Sequence, residues 1–320
     1  MVSVRNAGRN SESDDTKDTD SGVSSGGGVN RSAGVSPPGG GALGGSDGTE
    51  SVGGAEDAAA VETRERGEAV GRRAMPREVA LFVTCVGDFA ASGPARAAVT
   101  VLERMGVRVT VPKAQSCCGQ PALNSGFPVE AAALARHWVE VFEPHPAVVA
   151  IAGSCAGMTV HHYPRILDGP WRARAEAILD RMWEFTRFVA DHGENLALRT
   201  AAERTVTYHD SCHMLRNLRE RDAPREVLGR VEGLELREMR DPDICCGFGG
   251  TFAVKFPEVS TAMADRKLRQ VHDTGATELV SADSGCLLHL DGRRDASGET
   301  TPRACHVAEI LRDALPREPR

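Results

Sequence analysis

Eight of the nine cysteines in this 320-residue chain fall into two sets of four. The first set is Cys85, Cys117, Cys118 and Cys155, and the second is Cys212, Cys245, Cys246 and Cys286. The steps are 32, 1 and 37 residues in the first set and 33, 1 and 40 in the second. In each set a vicinal pair is followed by glycine, Gly119 or Gly247, whose small size suits a loop that must approach a bulky ligand closely. Thiolates are soft ligands, so the chemistry open to such sets is an iron–sulfur cluster, zinc, or thiol–disulfide exchange without metal. Four thiolates suit a closed zinc site, but common zinc sites use short Cys-x-x-Cys knuckles, which neither set has.

Positioning four thiols so far apart in sequence requires a repeated scaffold. Val79–Thr84 is a short apolar run that reads as a buried strand ending at Cys85. The pattern predicts a helix over Pro94–Met105, a strand over Val107–Val111 and the loop Gln115–Pro121 that carries the first pair. A helix over Pro128–Phe142 and a strand over Ala147–Ala152 lead to Cys155. Trp171–Asp191 reads as one longer helix that bridges to a second copy of the rhythm.

That copy has a strand over Thr205–His209, a helix over Pro224–Val231 and a strand over Leu234–Met239. A helix from Phe256-Pro257 to His272 matches the Phe127-Pro128 start in the first copy. A strand over Glu278–Ala282 precedes Cys286, and a helix over His306–Leu315 closes the fold. The expected fold class is α/β, with two pseudo-repeated modules, each a small parallel sheet with flanking helices. In such sheets ligands gather at the carboxyl ends of the strands, where both sets of thiols would meet. The expected organisation is a disordered Gly/Ser-rich tail over 1–75, a first module over 76–168, a linking helix over 169–203 and a second module over 204–315.

Composition narrows the function. A formal charge of −7 argues against nucleic-acid binding. No apolar run is long enough to span a bilayer, and no secretory signal opens the chain, so a cytoplasmic protein is expected. There the cysteines are better read as ligands or redox thiols than as disulfides. No Gly-x-Gly-x-x-Gly fingerprint supports a dinucleotide site.

Cys117-Cys118-Gly119-Gln120-Pro121-Ala122, Gly153-Ser154-Cys155, His209-Asp210-Ser211-Cys212-His213, Cys245-Cys246-Gly247-Phe248-Gly249-Gly250 and Asp283-Ser284-Gly285-Cys286 resemble a known family. It is the duplicated cysteine-rich CCG-domain family, which includes the cysteine-rich component of heterodisulfide reductase, the iron–sulfur component of glycolate oxidase and the lactate-utilisation proteins. The resemblance covers roughly residues 78–315 and is nearest to the lactate-utilisation A branch, which consists of the two modules alone. It implies iron–sulfur electron transfer in a multi-subunit oxidation of L-lactate to pyruvate. The implied partners are companion lactate-utilisation proteins, one with ferredoxin-type cluster motifs.

The expected cofactor is an iron–sulfur cluster, [4Fe–4S] by ligand count, in at least the second module, with iron–sulfur or zinc in the first. Glycolate or glycerol-3-phosphate oxidation, heterodisulfide-type thiol chemistry and a zinc-stabilised scaffold are the rival readings. One departure stands out: the family pattern ends each module with Cys-x-x-Cys, and here Met158 and His289 occupy the last position. His289 reads as hydrogen-bonded structure before ligand, and Met158 as core filler. His209 and His213 flank Cys212, as strand-end caps or as groups that tune the centre. His161 and His162 read as packing or surface groups, Cys305 as a lone buried thiol, and Lys113 and Lys255 as solvated lysines.

Overall fold

Val79, Ala80, Leu81 and Phe82 are wholly buried, as expected of a parallel strand covered on both faces. They form β1 (Glu78–Phe82) in a computed structural model that describes residues 73–316. The expected tail lies outside the described residues except for its last three positions. The first module continues with α1 (Cys85–Phe89), α2 (Ser92–Arg104), β2 (Arg108–Thr110), α3 (Gln120–Asn124) and α4 (Pro128–Phe142). It then runs through β3 (Val148–Ala150), α5 (Gly153–Gly157), a π-helical turn over Met158–His162 and α6 (Tyr163–Ile166). It closes with α7 (Gly169–Leu179), β4 (Met182–Glu184) and α8 (Phe185–His192).

The second module repeats the plan. It has β5 (Arg199–Tyr208), a π-helical turn over Met214–Leu218, α9 (Asp222–Gly229), β6 (Glu232–Leu236) and α10 (Phe252–Lys255). After these come α11 (Pro257–Asp273), β7 (Glu278–Ser281), α12 (Ser284–Ala296), β8 (Arg303–His306) and α13 (Val307–Ala314). The strand orders are β2-β1-β3-β4 and β6-β5-β7-β8, with every pairing parallel. The expected fold class is therefore the observed one. In each sheet the order reverses between the first and third strands, and at that switch point crossover helices diverge and leave a crevice.

Two corrections concern the edges. The single helix expected over Trp171–Asp191 is broken: Met182–Glu184 instead pair with Val148–Ala150 as the fourth strand of the first sheet. Ile178, Met182, Phe185 and Val189 are all buried, so their helical spacing was real but served two helices and a strand. Pairing with an open sheet edge outweighs local propensity over so short a stretch. The segment assigned to a linking helix thus completes the first sheet. Likewise Cys305 and His306 belong to β8, and His306 caps α13 through its side chain, which accepts from the Ala308 N–H at 3.1 Å.

Alternation along the strands divides the interior. Val79, Leu81 and Val149 face a core shared by both modules, which includes Val206, Tyr208, Ile310 and Leu311. Ala80, Phe82, Val148 and Ala150 face an outer core with Trp138, Phe142 and Tyr163. The second module's outer core is built from Met239, Ala264, Leu268, Val271 and Leu290. Helix α13 packs on α2, and α8 packs on α9, so each module covers part of the other. Among the described residues no helix is long and apolar enough to cross a membrane.

Candidate metal centres

Each crevice collects its four cysteines. In the first module, Cys85 opens α1 just past β1, Cys117 and Cys118 lie in the loop after β2, and Cys155 lies in the first turn after β3. The thiols touch in series: Cys85 meets Cys117, Cys117 meets Cys118, and Cys118 Sγ lies 3.4 Å from Cys155 Sγ. The second set forms the same chain through Cys212, Cys245, Cys246 and Cys286. All eight are free thiols. In each set two are buried (Cys118 and Cys155, Cys246 and Cys286) and two are half-buried, so one side of each crevice reaches the surface.

The electrostatics single out one thiolate per set. The Cys118 and Cys85 thiols donate toward Cys117 and hold it down at about 3, helped by the Gly119 N–H at 3.4 Å. Cys245 is held down at about 2 by Cys212, Cys246 and the Gly247 N–H. Cys118 and Cys246 are pushed well up by hydrogen bonding to those thiolates and by burial. A cation entering either crevice therefore meets an ionised sulfur first, then thiols that ionise as it binds.

The loops are shaped for this. Gly119 and Gly247 have φ of 86° and 93°. A Cβ at Gly119 would lie 3.2 Å from the Ala131 carbonyl oxygen, and one at Gly247 would lie 2.5 Å from that of Ser260. The vicinal pair can thus press against α4 or α11 only because a glycine follows it. The sulfur-only donor sets, with their open side and close-packed glycine, fit a thiolate-bound metal or cluster.

The surroundings of the two sets differ. Three residues before Cys85 stands Phe82, and three before Cys212 stands His209. Ten residues after Pro128 stands Trp138, and ten after Pro257 stands Lys267. Phe82 packs edge-on against Trp138 and Phe142, with ring centroids at 5.9 and 5.3 Å. His209 is fully buried, and neither ring nitrogen has a hydrogen-bond partner at bonding geometry. The Pro242 carbonyl beside the ring already accepts from the Asp210 N–H at 3.1 Å and from Lys267 Nζ at 3.1 Å. Burial and the Lys267 charge push His209 down to about 3, so it is neutral.

Lys267 is itself fully buried and also donates to the Asp241 carbonyl at 3.0 Å. Burial lowers it to about 8, against the pull of Cys246. Nothing in its surroundings in sequence, Asp265-Arg266-Lys267-Leu268-Arg269, marks it as buried. Only the register of the repeat, which sets it against Trp138, could have found it.

The other expected candidates resolve as follows. His213 lies beside the second set, with Nδ1 at 3.4 Å from Cys212 Sγ. His289 meets Ser260 Oγ at 3.2 Å, and Ser260 donates to the Gly247 carbonyl at 2.8 Å, so His289 braces the loop. Met158 is core. His161 and His162 stack on each other, half-buried. Cys305 stands apart from both sets, close to Glu309. Lys113 and Lys255 are exposed.

The two crevices adjoin. The Gly153 N–H donates to the Ala282 carbonyl at 3.0 Å, and the Ser154 N–H donates to Asp283 Oδ2 at 2.8 Å. Asp283 also caps α12, which carries Cys286, and accepts from Ser211 Oγ at 3.3 Å. Ser125 and Thr251 hydroxyls meet at 2.9 Å between the loops that follow the two pairs. Asp283 thus ties the neighbours of Cys155, Cys212 and Cys286 into one network, a role with no signal in the sequence.

The model of the CCG cysteine-rich domain matches residues 79–159 and again 206–291. Lactate utilization protein A of Bacillus cytotoxicus is 42% identical over 236 residues, covering 73% of this chain and 98% of that protein. Its counterpart in Shouchella clausii is 41% identical over 234 residues, with the same coverage. Among solved structures, a hypothetical protein from Helicobacter pylori shares the fold, with a TM-score of 0.50 at 10% identity. That likeness covers 76% of this chain and 50% of the Helicobacter chain. With two CCG domains and such identity over nearly the full length of these relatives, the chain belongs to the lactate utilization protein A family of CCG cysteine-rich proteins.

Proposed function

We propose that this protein is a cytoplasmic iron–sulfur electron carrier in a multi-protein system that oxidises L-lactate to pyruvate. The observation that carries the reading is the convergence of four free thiols at the switch point of each sheet. Cys85, Cys117, Cys118 and Cys155 would hold one centre, and Cys212, Cys245, Cys246 and Cys286 the other. An iron–sulfur cluster supplies reversible one-electron transfer when bound. The half-buried cysteines suit an electron entry near the surface, and the buried ones would keep water from the inner side. Lys267 offsets negative charge at the second site. The adjoining crevices suit passage of electrons between two centres within one chain. Lactate as the substrate is supported by the names of the relatives, and companion proteins that include a ferredoxin-type one are what the family resemblance implies.

The test is iron and acid-labile sulfide content after purification without oxygen. About four of each per occupied module is expected, lost from one module in Cys118→Ser and from the other in Cys246→Ser. Stoichiometric zinc without sulfide would sink the electron-transfer reading. For the substrate, a deletion strain should fail to grow on L-lactate and be restored by the intact gene. Normal growth, with no second lactate enzyme present, would remove lactate.

A further inference from the structure

His209 is a buried imidazole without a hydrogen-bond partner at either nitrogen. A neutral imidazole carries one donor and one acceptor, and burying both unmet is costly. In folded proteins most such groups are met by a partner, and here both nitrogens of one ring are unmet among the described residues. A ligand nitrogen of His209, Cys246 Sγ and Cys286 Sγ all lie within 4.8 Å of one another. That places the imidazole nitrogen within a small contraction of a metal held by these thiols. The Pro242 carbonyl beside the ring is already shared by the Asp210 N–H and Lys267 Nζ, so it leaves the ring nitrogens short of a full partner. The first module cannot do the same, because Phe82 occupies the corresponding position and is packed among aromatic rings.

We infer that His209 is a nitrogen ligand of the second module's centre, on the side lined by Cys246 and Cys286. The inference rests on the reading that this module holds a metal centre. It makes the two centres unlike: thiolate alone in the first, thiolate with imidazole in the second.

The experiment is pulsed electron paramagnetic resonance on the full chain, purified without oxygen and reduced, from cells fed natural or ¹⁵N-labelled histidine. A strongly coupled nitrogen is expected that changes isotope pattern with the label. It should vanish in His209→Phe and persist in His213→Phe and His289→Phe. Redox titration of His209→Phe should move the potential of one centre and leave the other unmoved. The labelled wild type needs no substitution, so a folding defect in a variant cannot hide the answer. Iron and sulfide that are lost in Cys246→Ser, without that nitrogen, overturn His209 ligation and leave the proposed function standing. An empty second module overturns both. Zinc in the second module overturns the function alone, and zinc-edge X-ray absorption then decides His209 by the presence or absence of imidazole scattering.

Discussion

The two modules share a strand order, a loop motif and a cysteine spacing, yet they are backed by opposite materials. Behind the first set of cysteines stand Phe82, Trp138, Phe142 and Tyr163. Behind the second stand His209, Lys267, Ser260 and His289 at or near the corresponding places. An aromatic wall contributes packing and a low local dielectric, which favours the less charged state of whatever it borders. A buried ammonium and imidazole contribute charge and donors, at the cost of apolar burial. The cysteine frame can be duplicated intact while the wall is exchanged, because the cysteines come from loops and helix starts at the carboxyl edge and the wall comes from strand ends and helix faces.

That contrast can be broken most severely at Trp138. Its ring is fully buried and meets Phe82, Phe142 and Tyr163. Trp138→Ala is expected to cost about 3–5 kcal/mol in urea unfolding. A cost under about 1 kcal/mol would mean that the first wall is not structural.

The glycines sharpen the comparison next. Both Gly119→Ala and Gly247→Ala force an unfavourable left-handed residue, worth about 1–2 kcal/mol. Gly247→Ala adds a clash at 2.5 Å where Gly119→Ala meets its neighbour at 3.2 Å. The second is therefore expected to cost about 1 kcal/mol more and to lose metal more completely. Equal losses would show that the loops tolerate a side chain alike.

The helices after the fourth strands give a subtler contrast, readable in pH. Glu184 and His306 each cap the helix that follows. Burial raises Glu184 to about 8, while burial lowers His306 to about 4. The folded state therefore holds a proton on Glu184 that the unfolded chain releases, and stability falls as pH rises toward 8. On His306 the unfolded chain binds the proton first, so stability falls as pH drops from about 6.5 toward 4. The two slopes oppose each other between about pH 4.5 and 6.5. From pH 6.5 to 8 the Glu184 contribution declines by about 2 kcal/mol. Thermal melts of Glu184→Gln should lose that alkaline decline and keep the acid one. A parallel alkaline decline in wild type and variant would assign it to other groups.

A change in stability no larger than that of Gly119→Ala comes from Lys267→Met. An apolar side chain of similar length replaces the ammonium, and two carbonyls lose a donor, for a net cost of about 1–2 kcal/mol. Its sharper readout is redox: the second centre should become harder to reduce while the first keeps its potential. If both potentials move together, the walls are not insulated from each other.

Much of the frame was legible in the sequence, because each visible feature rests on a short-range signal. The buried strands leading to the cysteines are continuous apolar runs. The Phe-Pro starts of α4 and α11 announce themselves, and the pairs with their glycines mark both loops. Strands β4 and β8 were hidden because they are 3 and 4 residues long and owe their form to a neighbouring edge. Lys267 was hidden because a lysine among charged residues looks solvated, and only its tertiary surroundings say otherwise. Asp283 was legible as a residue of the motif and illegible as the link between modules, since its partners Ser154 and Ser211 lie 129 and 72 positions away.

Helix α13, packed on α2, bears on how the chain comes into being. During synthesis the first module emerges complete in its own strands, but the apolar back of α2 stays bare until Val307–Ala314 has been made. The first crevice is thus assembled early and buttressed last. A nascent chain would carry four thiols on an unfinished body through the rest of its translation, an interval in which a chaperone has something to hold.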